Sequence, residues 1–190
     1  MKELVSKIVL RINIFFRKYR VIPEMAEKRE LIEYYRESFK PKVLLETGTL
    51  FGDTIEYFKN KFSCLISIEL SEELAEKAVR RFEGDKHVKI VQGNSSVVLS
   101  SLLTDLESPV LFWLDGHYSS EFFYKEELIR TAKGEKDTPI EEELDIILRS
   151  SVAAIILIDD ARLFNGKNHY PTIKAIKKRS NRIKWMAKYL

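Results

Sequence analysis

The sequence predicts a doubly wound α/β protein, a mostly parallel sheet with helices on both faces. Three observations carry this. From residue 42 onward short apolar runs alternate with amphipathic segments, the order of a sheet built from βα units. The run Ala154-Ile155-Ile156-Leu157-Ile158 has no polar face, as a strand covered on both sides requires. Each apolar run also stops at polar residues, and open α/β sheets bind ligands at those strand ends.

Residues 1–41 read as a helical extension packed on the domain, and 42–190 as the α/β domain itself. Leu4, Ile8, Ile12 and Phe15 share one face at helical spacing, with basic residues elsewhere. Pro23 suits the first position of a second helix through Met25, Leu31, Ile32 and Tyr35, which Pro41 stops. The first helix suits packing on the domain or on a second subunit, as in a homo-oligomer. Its basic amphipathic pattern also suits peripheral contact with a membrane.

Strands are expected at 43–46, 64–69, 88–92, 109–114 and 152–158, with helices at 52–61, 71–83, 95–104 and 139–149. Ser71 is a candidate N-cap, and Thr138-Pro139-Ile140-Glu141 reads as a capping box with proline in the first turn. After a helix near 171–180, Arg182–Leu190 is all that remains for a last strand.

Composition narrows the class. A chain of 190 residues suits one domain with a full core. A net charge of +3 is too small to argue for nucleic acid, and none is expected as a partner. The lone Cys64 sits in an apolar run and reads as a small core residue. With no disulfide framework, no membrane-length apolar stretch and no signal-peptide pattern, a cytoplasmic setting is expected.

The strand ends carry the chemistry. The first is Glu46-Thr47-Gly48-Thr49-Leu50-Phe51-Gly52, a strand-terminal acid and a glycine turn leading into a helix. Such a turn lets a ligand approach the main chain closely. Glu69 ends the next strand, 21 positions after Gly48, the spacing at which an acid accepts the ribose hydroxyls of an adenosine. Leu70 is placed to pack on adenine, and Gly93-Asn94-Ser95 to meet its edge. The lesser alternative for Glu69 is charge compensation at the start of the helix beside Ser71. NAD is the rival ligand, but the turn lacks the third glycine of a dinucleotide loop, and Glu46 would oppose a pyrophosphate. A cationic cofactor without phosphate fits better.

The turn Glu46–Gly52 resembles the first motif of class I S-adenosylmethionine-dependent methyltransferases, acid-x-Gly-x-x-x-Gly. Glu69-Leu70 resembles their ribose-binding acid with its adenine-packing neighbour, and Gly93-Asn94-Ser95 the Gly-x-Ser of small-molecule O-methyltransferases. The likeness spans about 42–165. It implies a cofactor site of Glu46, Gly48, Thr49, Gly52, Glu69, Leu70, Asn94, Ser95 and Asp115.

Leu114-Asp115-Gly116-His117 and Ile158-Asp159-Asp160 bring three carboxylates to the ends of two further strands. Close like charges are costly unless a cation neutralises them, and an all-oxygen set favours Mg²⁺, Ca²⁺ or Mn²⁺. The alternative is that these aspartates only cap turns. Asp115, Asp159 and Asp160 match the metal ligands of metal-dependent O-methyltransferases of the catechol and macrocin/novobiocin types. That resemblance implies Mg²⁺, a small hydroxylated acceptor such as a sugar, and one antiparallel strand near the sheet edge, which this chain's short C-terminus shortens.

Methyl transfer from a sulfonium needs alignment and an activated oxygen. His117 is the first candidate base, with Asp115 as ligand and second catalytic group. Residues 118–137, with Tyr118, Phe122, Phe123 and Gly134, suit a lid over the acceptor; Phe122 and Phe123 in the core of an inserted helix is the equal alternative. The expected function is S-adenosylmethionine-dependent O-methyl transfer. The alternative is a non-catalytic module of the same fold that binds cofactor or docks on a partner or membrane.

Overall fold

The computed structural model describes residues 9–12, 25–124, 126–159 and 161–180. Six strands form one parallel sheet: β1 (Val9–Ile12), β2 (Val43–Thr47), β3 (Cys64–Glu69), β4 (Val88–Gln92), β5 (Val110–Leu114) and, after a separate hairpin, β8 (Ala154–Ile158). Their order across the sheet is β1-β8-β5-β2-β3-β4. The hairpin pairs β6 (Glu121–Tyr124) with β7 (Glu127–Arg130). Helices α1 (Met25–Phe39), α2 (Asp53–Phe58), α3 (Glu72–Arg81), α4 (Ser95–Leu102), α5 (Ile140–Arg149) and α6 (Ile173–Ser180) complete the fold.

Alternation along the strands divides the core in two. Leu45, Ile66, Phe112 and Ile156 face one layer, where Leu99 of α4, Leu144 and Ile147 of α5 and Ile176 of α6 cover them. Leu44, Leu65, Leu111, Trp113, Ile155 and Leu157 face the other, against Ile32 and Tyr35 of α1, Ile55 and Phe58 of α2, and Phe82 after α3. Both faces are covered, so β2, β5 and β8 are buried along their whole length. Cys64, at the start of β3, is only partly buried and packs against the first layer.

The chain runs outward from β2 through β3 to β4, then returns to place β5 on the other side of β2. The topological switch point therefore lies between the ends of β2 and β5. There the Asp115 N–H donates to the Thr47 carbonyl (3.1 Å), and the Asp159 N–H to that of Leu114 (3.0 Å). Three strand ends are thereby laced together.

Four expectations need correction. Val9–Ile12 is a strand paired in register with Ile155–Ile158, not part of a helix over 4–15. Helical and strand spacing both fit so short an apolar run, and the open backbone edge of β8 decides between them. The remainder of that expected helix lies outside the described residues. The sheet is parallel throughout the described residues, with no antiparallel strand; Arg182–Leu190 is also outside them. Thr138–Glu141 is not a reciprocal capping box. The Thr138 hydroxyl accepts from the Ile140 N–H (3.3 Å), while the Glu141 carboxylate is drawn to Arg179 (2.8 Å) on α6. Finally, 118–137 contains a β-hairpin in place of an inserted helix. No helix among the described residues is long and apolar enough to cross a membrane.

Candidate active site

A cleft of about 390 Å³ opens over the ends of β2, β3 and β5, within the size range of small-molecule sites. Gly48 forms its floor beside Asp115. A Cβ on Gly48 would stand 2.7 Å from the Asp115 carbonyl oxygen, and its φ of +87° lies where side chains are strained. Only glycine lets β2 turn this close to β5.

Glu69 stands at the cleft's side, 7 % exposed. One carboxylate oxygen accepts the Leu50 N–H (2.9 Å) and the other the Ser71 N–H (2.9 Å). Burial raises its carboxyl above the usual range, against the pull of these backbone donors. A carboxylate has about four acceptor positions, so helix-start duty and ribose binding can share it. Leu70, Asn94 and Ser95 also line the cleft. The Asn94 side-chain oxygen caps α4, accepting from the Ser96 N–H (3.0 Å) and hydroxyl (2.8 Å).

Glu46, Thr49 and Gly52 do not line the cleft. Glu46 is 2 % exposed and accepts from the Ser67 hydroxyl (2.6 Å), which also meets the Thr49 hydroxyl (2.7 Å). Burial pushes the Glu46 carboxyl up to about 8. At neutral pH it is mostly protonated, so it supplies no charge to repel a pyrophosphate. Gly52 begins α2 against the ring of Phe82.

At the other end of the cleft Asp115 and Asp159 approach each other around an ammonium. Lys28 Nζ is 3.3 Å from Asp115 Oδ2 and 2.5 Å from Asp159 Oδ2. Burial alone would lower the lysine's pKa, but the two carboxylates overcome it and the result is raised. Burial and the neighbouring Asp115 charge hold Asp159 above the ordinary carboxylate range. Burial acts on Asp115 in the same direction, but His117 and Lys28 outweigh it and its pKa falls below the ordinary range. His117 lines the cleft with Nδ1 3.3 Å from Asp115 Oδ1 and Nε2 3.1 Å from the Ser119 hydroxyl.

A divalent ion does not fit this arrangement as it stands, because its ground between the two carboxylates belongs to Lys28. Among the described residues no group of three or more Asp, Glu, His or Cys side chains is disposed to hold a metal. Asp160 lies outside the described residues.

Two residues at the site escaped the sequence reading. Lys28 sits one helical turn before Ile32 on the buried stripe of α1. Glu143 lies between Ile140 and Ile147 on that of α5, 1 % exposed, its carboxyl pushed to about 7 by burial. The Thr47 and Ser95 hydroxyls face Glu143, yet its Oε1 has no partner in hydrogen-bond geometry among the described residues. In both cases the available signal was a charged residue on an otherwise apolar helix face.

Thr131, Ala132 and residues 134–137 line the cleft, with Gly134 beside Leu70. The hairpin before them is tied down by Tyr124 stacking on Phe51 (4.4 Å between ring centres), an ion pair from Lys77 to Glu127 (3.4 Å) and the buried Ile129.

No protein-family model matches the sequence, and no curated protein does. Solved structures do. TomG, an O-methyltransferase of tomaymycin synthesis from Streptomyces achromogenes bound to S-adenosylmethionine, superposes with a TM-score of 0.59 at 15 % identity, over 89 % of this chain and 74 % of that one. A Staphylococcus aureus protein provisionally named a caffeoyl-CoA O-methyltransferase gives 0.53 at 13 % identity, over 88 % and 78 %. The Podospora anserina methyltransferase PaMTH1, bound to S-adenosylhomocysteine, gives 0.51 at 16 %, over 77 % of this chain and 59 % of its own length. The chain thus has the Rossmann-like fold of class I methyltransferases, and it spans less than two thirds of the Podospora enzyme.

Proposed function

We propose that the cleft binds S-adenosylmethionine and transfers its methyl group to a hydroxyl of a small acceptor. The observation that carries this reading is a single cavity at the switch point. Its one side is the Gly48 turn with Glu69, and its other is the Asp115, Lys28 and His117 group. Glu69 accepts the ribose hydroxyls, Leu70 packs on adenine, and Asn94 and Ser95 meet the adenine edge. Gly48 lets the cofactor's amino-acid portion approach the main chain beside Asp115. Glu46, Thr49 and Gly52 support the turn from behind.

In the transfer, an acceptor oxygen lone pair forms the new O–CH₃ bond while the S–CH₃ bonding pair returns to sulfur, leaving S-adenosylhomocysteine. The hydroxyl proton passes to His117, whose Nδ1 is oriented by the Asp115 main-chain carbonyl (3.2 Å) with the Asp115 carboxylate close by (3.3 Å). Positioning and charge placement do most of the work. The ring of Tyr118, which lines the cleft, offers a face on which a sugar acceptor would stack. No step is assigned to Mg²⁺, because Lys28 holds the carboxylates a divalent ion would use.

Calorimetry with S-adenosylhomocysteine tests the reading. Binding should weaken by about ten- to a hundredfold in Glu69→Ala, the scale of hydrogen bonds to a charged group. No binding at millimolar ligand would overturn it.

A further inference from the structure

We propose that Lys28 is the resident cation of the reaction centre, its ammonium standing between Asp115 and Asp159 where a divalent ion would otherwise sit. The inference deepens the methyl-transfer reading and rests on it for the word reaction. Lys28 enters from α1, outside the βα units that build the sheet, and it lines the same cleft as Glu69 and His117.

Its position is built rather than incidental. Ile32, one turn further along α1, is 1 % exposed in the core. Arg29, next to Lys28, reaches the Asp53 carbonyl (3.4 Å) and lies over the Tyr57 ring (4.7 Å). These contacts fix the helix in rotation and height, so the lysine stem points at the strand ends. The side chains of Lys28, Asp115 and Asp159 are 18 %, 19 % and 4 % exposed, too little for water alone to screen two neighbouring carboxylates.

The chemistry follows from counting donors. An ammonium has three N–H groups; among the described residues one donates to Asp115 Oδ2, and Asp159 Oδ2 is held by charge, outside hydrogen-bond alignment. A further donor is available for the acceptor oxygen. A positive charge there steadies the oxygen as its proton leaves for His117, and Lys28 keeps all three of its own protons throughout. The ion's two services, neutralising the aspartates and holding the acceptor, come from the chain itself.

Titration of the protein with Mn²⁺, followed by water-proton relaxation without cofactor or acceptor, reads this directly. Wild type should show no saturable site below about 1 mM, the weak end for carboxylate sites. Lys28→Met should create a site tighter by about 10- to 100-fold, the range over which neighbouring groups move metal affinity. Lys28→Met combined with Asp159→Asn should lose it. Saturable Mn²⁺ binding by wild type that Asp159→Asn abolishes would overturn the inference, and this holds even if Lys28→Met fails to fold. Equal Mn²⁺ affinity in a folded Lys28→Met protein would overturn it too. Failure to bind S-adenosylhomocysteine would instead sink the reading of function, leaving the Mn²⁺ result as a separate answer on Lys28.

Discussion

At Gly48 the backbone of one strand end rests against the backbone of another. Replacement by alanine puts a methyl group 2.7 Å from the Asp115 carbonyl and forces a side chain into a φ of +87°. Strain of this kind costs about 1–3 kcal/mol, which corresponds to a fall of roughly 2–12 °C in melting temperature for a chain this long. A Gly48→Ala protein that melts with wild type would show that the close approach is not real. Glycine at this position was legible in the sequence because a turn after an apolar run has few physical alternatives. The behaviour of Glu46 was not. Its place at a strand end is a matter of sequence, but its protonation depends on Ser67 and on how completely the surrounding elements exclude water. Lys28 and Glu143 were hidden for a related reason: local spacing shows a charge on an apolar stripe, while only tertiary packing shows what meets it.

The hairpin β6–β7 depends on a few contacts, chiefly the Phe51–Tyr124 stack, the Lys77–Glu127 pair and Ile129. An aromatic pair contributes about 0.5–1.5 kcal/mol beyond its area, so Tyr124→Ala should loosen this element selectively. Amide hydrogen exchange should speed up across 121–130 while β2, β5 and β8 keep their protection. Uniform acceleration through the sheet would show instead that the hairpin is part of the global cooperative unit. Five strands were readable to within two residues: β2, β3, β5 and β8 because burial on both faces leaves a continuous apolar signature, and the half-exposed edge strand β4 because Val88, Ile90 and Val91 still mark it. The hairpin was not, since Glu121-Phe122-Phe123-Tyr124 and Glu127-Leu128-Ile129-Arg130 bury only part of one face. Strand β1 was unreadable for another reason. Four residues cannot distinguish a helix from a strand, and the partner that decides is far along the chain.

Across the whole molecule, buried carboxylates set how stability varies with pH. Glu46 and Glu143 hold their protons to about 8 and about 7 in the folded state, against 4.5 as the ordinary value. An unfolded chain releases those protons earlier, so stability is greatest below 4.5 as far as these two groups are concerned. It declines as pH rises through that interval, and each group adds nothing further beyond its folded value. The slope is at most about 1.4 kcal/mol per pH unit for each held proton. Denaturant melts of the ligand-free protein between pH 5 and 8 should therefore show falling stability, and Glu46→Gln and Glu143→Gln should each flatten the fall. Identical slopes in wild type and the double variant would contradict the protonated assignments. The parallel pairing of β1 with β8 acts on this same scale. Val9 and its partner Ile155 are 146 positions apart, so the outer edge of β8 is covered by a segment made long before it. During synthesis that segment is already outside the ribosome when β8 emerges, and the exposed strand edge that invites association with other chains is covered as it forms.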